Sequence, residues 1–417
     1  MGAIFGNEFF NSKPQATAVA EDWPAAMGEE AFLGIAGDFV RLVEPHTEAD
    51  VHALLINFLI SAGVLFGRQA WTRADGRNHY PMEFAVLIGE TGRSRKGTAT
   101  SRVLNVMERV EEDYRELHVI SGLSSGEGLI KGLQSDTAPD VSKGETAAVW
   151  VHRKLGYIPE FGLLLQVLKR EGNTMSAILR QAWDAEELRV LTKTEPLSVR
   201  DFTLSILAHV TPEELLNALS TVDMVNGFAN RFLFLMVRRS KFLPEGGGEI
   251  NPSEIVSKLH NAVVLAKGRG PVERDALTKD FWATVYPELT CGQPGIRGAL
   301  SSRAEAHVLR LSLLYALLDA SEEIKLTHLR AALAVWNFCQ RSINYVFPQR
   351  SGDADTNRIL DAMAAGPISM TELFDIFKRN KTRDWLLAKM AQLVSKGYAA
   401  ETSKEMNRKT VPAWRRI

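Results

Sequence analysis

Five consecutive apolar residues, Phe84-Ala-Val-Leu-Ile88, run straight into a glycine-rich, cationic turn, Gly89-Glu-Thr-Gly92-Arg-Ser-Arg-Lys96-Gly97-Thr98. An apolar run without polar alternation, bounded by turn residues, belongs to a strand buried on both faces, as in a parallel sheet covered by helices. The residues after the turn, Thr98 to about Leu117, carry helical spacing, so the order is strand, tight turn, helix. Glycines let several backbone N–H groups converge on one anion, and a helix N-terminus adds a favourable dipole. In such a turn a lysine meets the outer phosphates of a nucleotide and a hydroxyl holds magnesium. Here glycine follows the lysine, and the hydroxyl comes one place later than in G-x-x-x-x-G-K-[ST]. Either Lys96 and Thr98 fill the two roles in a slightly longer loop, or Arg95 stands where the lysine normally stands.

The pattern repeats downstream. Strand-like runs at Leu117–Ser121, at a segment ending near Ile158, at Phe202–His209 and at Phe232–Val237 alternate with helical segments. That alternation predicts an α/β fold with a parallel sheet and crossover connections. Between the run ending near Ile158 and the run starting at Phe202, Leu188 to Arg200 alternates on both sides of Lys193–Pro196, which predicts a β-hairpin ahead of the following strand. Upstream, residues 24–75 have helical spacing, and the polar stretch TRADGRNHYP reads as a link into the core at 76–243. The linker around Gly246-Gly-Gly248 ends the core. A helical lid over 253–347 follows, with Val308, Leu311, Leu314, Tyr315 and Leu318 as its apolar stripe. Residues 1–23 read as a loose tail, and 353–417 as a compact final piece.

Composition narrows the classes. The net charge is −1, so attraction to phosphate must come from local patches. Two cysteines, Cys291 and Cys339, offer neither a disulfide framework nor a paired zinc motif, the usage of a reducing cytoplasm. The most apolar stretch, Val51 to Gly67, carries His52, Asn57 and Ser61 and is shorter than the ~20 residues a spanning helix needs. A buried helix in a cytoplasmic protein without a membrane partner is expected.

Nucleotide hydrolysis requires a carboxylate near the end of a neighbouring strand. Leu155-Gly-Tyr-Ile-Pro159-Glu160 supplies one, with proline where the first of the usual two acids would stand. Glu160 is expected to polarise the attacking water and to share the metal with Thr98. His209 at the tip of the next strand is a candidate for sensing the γ-phosphate. Arg231, directly before the fifth strand, and Arg303, at the start of the long helix, are candidates for neutralising transition-state charge, Arg231 on an adjacent subunit. The phosphate-contacting set is the whole turn: Gly89, Glu90, Thr91, Gly92, Arg93, Ser94, Arg95, Lys96, Gly97 and Thr98.

Several longer segments then point to a family. GETGRSRKGT, SGLSSGEGL, IPEF, EGNTMSAILRQAWD, AHVTPEEL and NGFANRFLFLMVRRSKFLPEGG resemble the uncharacterised helicase-like domain family of plasmid, phage and primase–polymerase proteins, over most of residues 25–345. More distantly the chain is similar to the AAA+ motors of minichromosome-maintenance helicases. The resemblance implies a P-loop NTPase core of the ASCE/AAA+-like type using ATP and Mg2+. It implies Glu160 as catalytic glutamate, His209 at the first sensor, Arg231 as a trans-acting arginine and Arg303 as second sensor. It further implies Lys193 on a hairpin touching single-stranded DNA in the pore of a homo-oligomeric ring, a hexamer, with a primase or initiator acting in trans. Pro159, the shifted lysine and a histidine at the sensor position depart from that pattern.

The final piece reads as helix, turn, helix (Ser369–Lys378), helix (Thr382–Lys396) and a hairpin from Tyr398 to Trp414, the order of a winged helix. Twelve lysines and arginines face eight acids over 351–417. Lys378, Arg379, Lys381, Arg383, Lys404, Arg408 and Lys409 are the candidate contacts to duplex DNA. A protein–protein winged-helix module is the alternative. For the whole chain, a DNA helicase or translocase of a mobile element competes with a nucleotide-binding initiator or loader that unwinds nothing. A third class is an assembly protein with a degenerate nucleotide site.

Overall fold

A computed structural model describes residues 23–134, 152–191, 196–219, 226–293, 295–347, 354–363, 366–395, 398–406 and 409–416. Residues 1–22 of the tail expected at 1–23, the tip of the 188–199 hairpin with Lys193, Arg408 and the side chain of Lys409 lie outside the described residues, whereas Trp23 is described and its ring lies 5.6 Å from that of Tyr345.

Five strands build one sheet: β1 (Phe84–Ile88), β2 (Val119–Ile120), β3 (His152–Ile158), β4 (Phe202–Val210) and β5 (Phe232–Met236). Their order is β2-β3-β4-β1-β5, and every neighbouring pair is parallel. Successive side chains of a strand point to opposite faces. Ala85, Leu87, Leu207, Leu233 and Leu235 therefore enter one core, while Phe84, Val86, Ile88, Ile206, Phe232 and Phe234 enter the other. A continuous apolar run is what two covered faces demand, and the result is a three-layer α/β arrangement.

The first layer contains the helices Gly34–Val43, Val51–Phe66 and Lys96–Val110 together with Ser253–Ala266, Ala304–Leu318 and Leu326–Val346. Val51–Phe66 is capped by Asp50, whose carboxylate accepts from His52 N at 2.9 Å, and is buried throughout from Ala53 onward. Each fully buried Leu or Phe in it contributes roughly 1.5–3 kcal/mol. A Cβ at Gly63 would lie 2.2 Å from the Pro81 carbonyl oxygen, so this helix touches the backbone that leads into β1. Among the described residues no helix is long and apolar enough to cross a membrane. The second layer comprises Gly126–Leu133, Phe161–Leu168 and Met175–Trp183.

Several local expectations change. The helix expected over Thr98–Leu117 runs Lys96–Val110, breaks, and resumes as Tyr114–His118. Glu111, Glu112 and Asp113 follow its last turn, where negative charge opposes the helix dipole, and Asp113 turns left-handed at φ 59°. The strand expected over Leu117–Ser121 shortens to β2. The stretch read as a polar link holds the strands Ala70–Ala74 and Arg77–His79, paired antiparallel around Asp75 and Gly76 at φ 48° and 73°. Asp-Gly with both φ positive is the tight hairpin signal, masked in the sequence by charged flanks. The helix Ala304–Leu318 is buried on all sides: Leu313 and Leu317 join its expected stripe in the core of the N-terminal helices, Ala306 enters the other core, and Leu309 is covered as well. The hairpin after the second layer is present, Leu188 pairing with Val199 and Val190 with Leu197.

The last residues form the helices Ala354–Met363, Met370–Ile376 and Arg383–Ser395 and an antiparallel sheet in the order Ile368–Ser369, Lys409–Arg416, Ala399–Met406. Ser369 caps the middle helix, in a reciprocal box with Glu372. Ile359, Leu360, Leu373, Phe377, Leu386, Met390 and Trp414 share a core of their own.

Candidate phosphate-binding cleft

All five strands end on the same edge of the sheet. β1 lies between β4 and β5, so the chain leaves it towards the far strand β2 and later crosses it to reach β5. Ligands of open α/β sheets sit in the crevice at such a reversal, outside the carboxyl ends of the strands. The turn after β1 occupies that place. Gly89 N donates to Val210 O at 3.0 Å, and Val237 N to Ile88 O at 2.8 Å, anchoring the turn on both neighbours. A Cβ at Gly89 would meet Val237 O at 2.4 Å and Ser94 Cβ at 2.7 Å, and Gly92 has φ 67°, so both positions require glycine. Ser94 folds the turn back by donating its hydroxyl to Glu90 O at 2.6 Å.

Arg95 then adopts the left-handed conformation (φ 55°, ψ 27°) as N-cap of Lys96–Val110, without a side-chain cap. The first N–H groups of this helix are left for an anion at its N-terminus. Between the two candidates for the lysine role the geometry separates them. Lys96 Nζ folds inside the turn, donating to Gly89 O and, at 3.2 Å, to Ser94 Oγ. Arg95 turns to the N-terminal helices, its Nε 2.6 Å from Glu48 Oε2. Burial pulls the Lys96 ammonium down to about 8, against the Glu214 carboxylate, which raises it.

A cleft of about 560 Å³ opens here, lined by Thr91, Gly92, Ser94, Arg95, Lys96, Gly97 and Thr98 from the turn, Pro159 and Glu160 after β3, His209, Val210 and Thr211 at the end of β4, and Glu214. Gly89 shapes the turn without lining the cleft. Glu90 and Arg93 pair with each other at 3.4 Å on its exposed outer side. Glu160 is exposed at the N-cap of Phe161–Leu168 and makes no capping bond, leaving its carboxylate for the cleft. Thr98 is likewise exposed. His209 is 4% exposed; its Nε2 lies 3.2 Å from Thr100 Oγ1, which in turn donates to Lys96 O at 3.3 Å. Burial, with the Lys96 charge adding, holds this imidazole down to about 3, so it faces the cleft neutral.

No protein-family model and no curated protein matches this chain.

The two remaining candidate arginines lie at the opposite edge. Arg231 precedes β5, whose first residue, Phe232, pairs with Phe84, the first residue of β1. Its Nη2 donates to Asp184 Oδ2 at 2.6 Å and its Nη1 to Gly227 O. Arg303 Nη1 lies 3.5 Å from the other Asp184 oxygen. The Trp183 ring sits under both, 5.5 Å from the Arg231 guanidinium and 5.0 Å from that of Arg303. The Arg231 side chain is 8% exposed and that of Arg303 30%. Burial first, and then the neighbouring Arg231, lower Arg303.

In the C-terminal piece Lys378, Arg379 and Arg383 are exposed, with Arg379 Nε 3.5 Å from Asp375. Lys381 pairs with Asp355 at 2.6 Å and Lys404 with Glu372 at 2.7 Å, so both expected phosphate contacts are engaged within the chain.

Three carboxylates escape a reading of the sequence. Asp184 and Glu48 follow no motif. Glu214 sits in Thr211-Pro-Glu-Glu214, which reads as a helix-capping box. Thr211 Oγ1 does accept from Glu214 N at 3.1 Å, but the Glu214 carboxylate lies elsewhere.

Proposed function

We propose that this chain is a P-loop ATPase that works as a DNA motor, a helicase or translocase of a mobile element's replication. The observation that carries this reading is the cleft, which gathers an uncapped helix N-terminus, Lys96 and Glu160 at the sheet's carboxyl edge. The helix N–H groups and Lys96 would hold the β- and γ-phosphates, and Glu160 would orient and deprotonate the attacking water. Neutral His209, fixed by Thr100, has a ring nitrogen suited to a hydrogen bond with the γ-phosphate or that water. Thr98, Glu160 and Glu214 offer oxygen donors of the kind magnesium takes, alongside phosphates and water. Magnesium, when bound, neutralises phosphate charge. The strand order, with β4 between the turn-bearing β1 and the acid-bearing β3, supports the ATPase part of the reading; the DNA-coupled part rests on the resemblance of the segments named above.

Lys96→Ala and Glu160→Gln are expected to abolish ATP hydrolysis, and single-stranded DNA is expected to stimulate the wild-type rate. Hydrolysis unchanged in both variants would dispose of the assignment. Pro159 in place of the first acid favours a second reading, a nucleotide-dependent initiator or loader. In a strand-displacement assay that protein would bind DNA and ATP without unwinding.

A further inference from the structure

We infer that Glu214 is the second carboxylate of the nucleotide site, supplied from the helix after β4 in place of the acid that Pro159 replaces, and that it acts on magnesium. This inference rests on the ATPase reading of the cleft.

Three observations carry it. Glu214 lines the same cleft as Lys96, Thr98 and Glu160. Its carboxylate crosses directly over Gly162, two residues beyond Glu160: a Cβ built there would lie 2.0 Å from Oε1 and 2.4 Å from Cδ. Gly162 is therefore the gap that admits the side chain to the neighbourhood of Glu160. The capping box that Thr211-Pro-Glu-Glu214 announces is half-formed, because the hydroxyl is used and the carboxylate is not returned to the Thr211 N–H. Glu160 alone, with phosphates and water, would leave a single protein carboxylate for both metal and water. With Glu214 the two tasks divide: Glu160 stays available to the water while Glu214 faces the metal, directly or through its water shell. Magnesium sites of this kind use one or two carboxylates plus substrate phosphate oxygens.

The bland alternative is that Glu214 merely neutralises Lys96. The two differ in the metal dependence of binding, which does not require turnover. Calorimetric titration of the full chain with the non-hydrolysable analogue AMP-PNP, in EDTA and over a magnesium series, separates them. Wild type is expected to bind in EDTA and to gain affinity with magnesium. Glu214→Gln, which removes a negative charge beside the phosphates, should bind at least as tightly in EDTA and lose roughly tenfold or more of the magnesium-dependent gain. Glu214→Asp should recover part of that gain. Gly162→Ala, which pushes the carboxylate aside, should reproduce Glu214→Gln, with thermal unfolding as the check that both chains fold. A full magnesium gain in Glu214→Gln overturns the inference and leaves the ATPase reading standing. If wild type binds no AMP-PNP under either condition, the nucleotide reading fails and Glu214's role fails with it.

Discussion

Arg231 spends its guanidinium on Asp184 of its own chain, 2.6 Å away, at the edge of the sheet opposite the cleft. Phe232 at the start of β5 is level with Phe84, five strand steps from Gly89 where the turn begins, roughly 16 Å at 3.3 Å per residue, so Arg231 is out of reach of its own nucleotide. If either arginine acts, it acts on a neighbouring subunit. Arg303 is the more exposed of the two and its bond to Asp184 is the longer, so it is the better placed to leave. In the ring reading, Arg303→Ala and Lys96→Ala should each be inactive alone. Their equimolar mixture should recover on the order of a quarter of wild-type turnover, the share of interfaces that join two intact halves. No recovery in subunits shown to exchange would count against an Arg303 acting across the interface.

Arg95 stands in a left-handed conformation that glycine adopts freely, at a cost of about 1–2 kcal/mol for other residues. Its ion pair with Glu48 joins a 38% exposed side chain to a 16% exposed one, a class worth about 0–1 kcal/mol. Arg95→Ala keeps the strain and loses the pair, whereas Arg95→Gly loses both. The glycine variant should therefore be more stable than the alanine variant by about 1 kcal/mol in urea unfolding. The same pair tests the lysine assignment. Hydrolysis should survive Arg95→Gly and disappear in Lys96→Ala; the reverse order would put Arg95 in the lysine role.

The parts of this fold that are legible in the sequence are those written in contiguous residues. Phe84–Ile88 must be doubly buried because it has no polar alternation, and Gly89 and Gly92 mark the turn because no other residue fits there. Glu160 is found by its position at a strand end. Glu214 and Asp184 are different. Each acquires its surroundings from elements remote in the chain, Gly162 under Glu214, and Arg231 and Arg303 around Asp184. No local pattern encodes those meetings. Arg231 is legible as an arginine before a strand, but the carboxylate that engages it is not. The Asp75-Gly76 hairpin is a different failure, since its signal is local and is outweighed by the charged residues around it.

One buried histidine, His209, and one half-buried histidine, His79, set the expected acid response. Burial lowers both His209 and His79 to about 3 in the folded chain, below the ordinary value of 6.5. Between those values the unfolded chain binds more protons, so their contribution to stability is present above about 6.5 and is lost as pH falls towards 3. The urea midpoint should drop from pH 7 to pH 5, and replacing both histidines by asparagine should flatten that part of the profile. An unchanged slope in the double variant would mean that carboxylates govern the acid limb.

The C-terminal piece offers the sharpest separation between a DNA reader and a protein-docking module. Lys381 and Lys404 are held by Asp355 and Glu372, and Lys404 in turn draws the Glu372 carboxyl down to about 2. Recruiting either lysine to phosphate would require breaking an existing pair. Among the expected contacts, Lys378, Arg379 and Arg383 are exposed and flank the turn between Met370–Ile376 and Arg383–Ser395. If this piece reads duplex DNA, Lys378→Ala with Arg383→Ala should weaken binding uniformly across sequences. The slope of log affinity against log salt should fall by about one for each phosphate that is no longer neutralised. Lys404→Ala should change the slope little, because Lys404 already spends its charge on Glu372. Fluorescence anisotropy on a labelled duplex at several salt concentrations measures all three slopes. A salt slope near zero in the wild-type chain would end the duplex-binding proposal and leave this piece as a docking module.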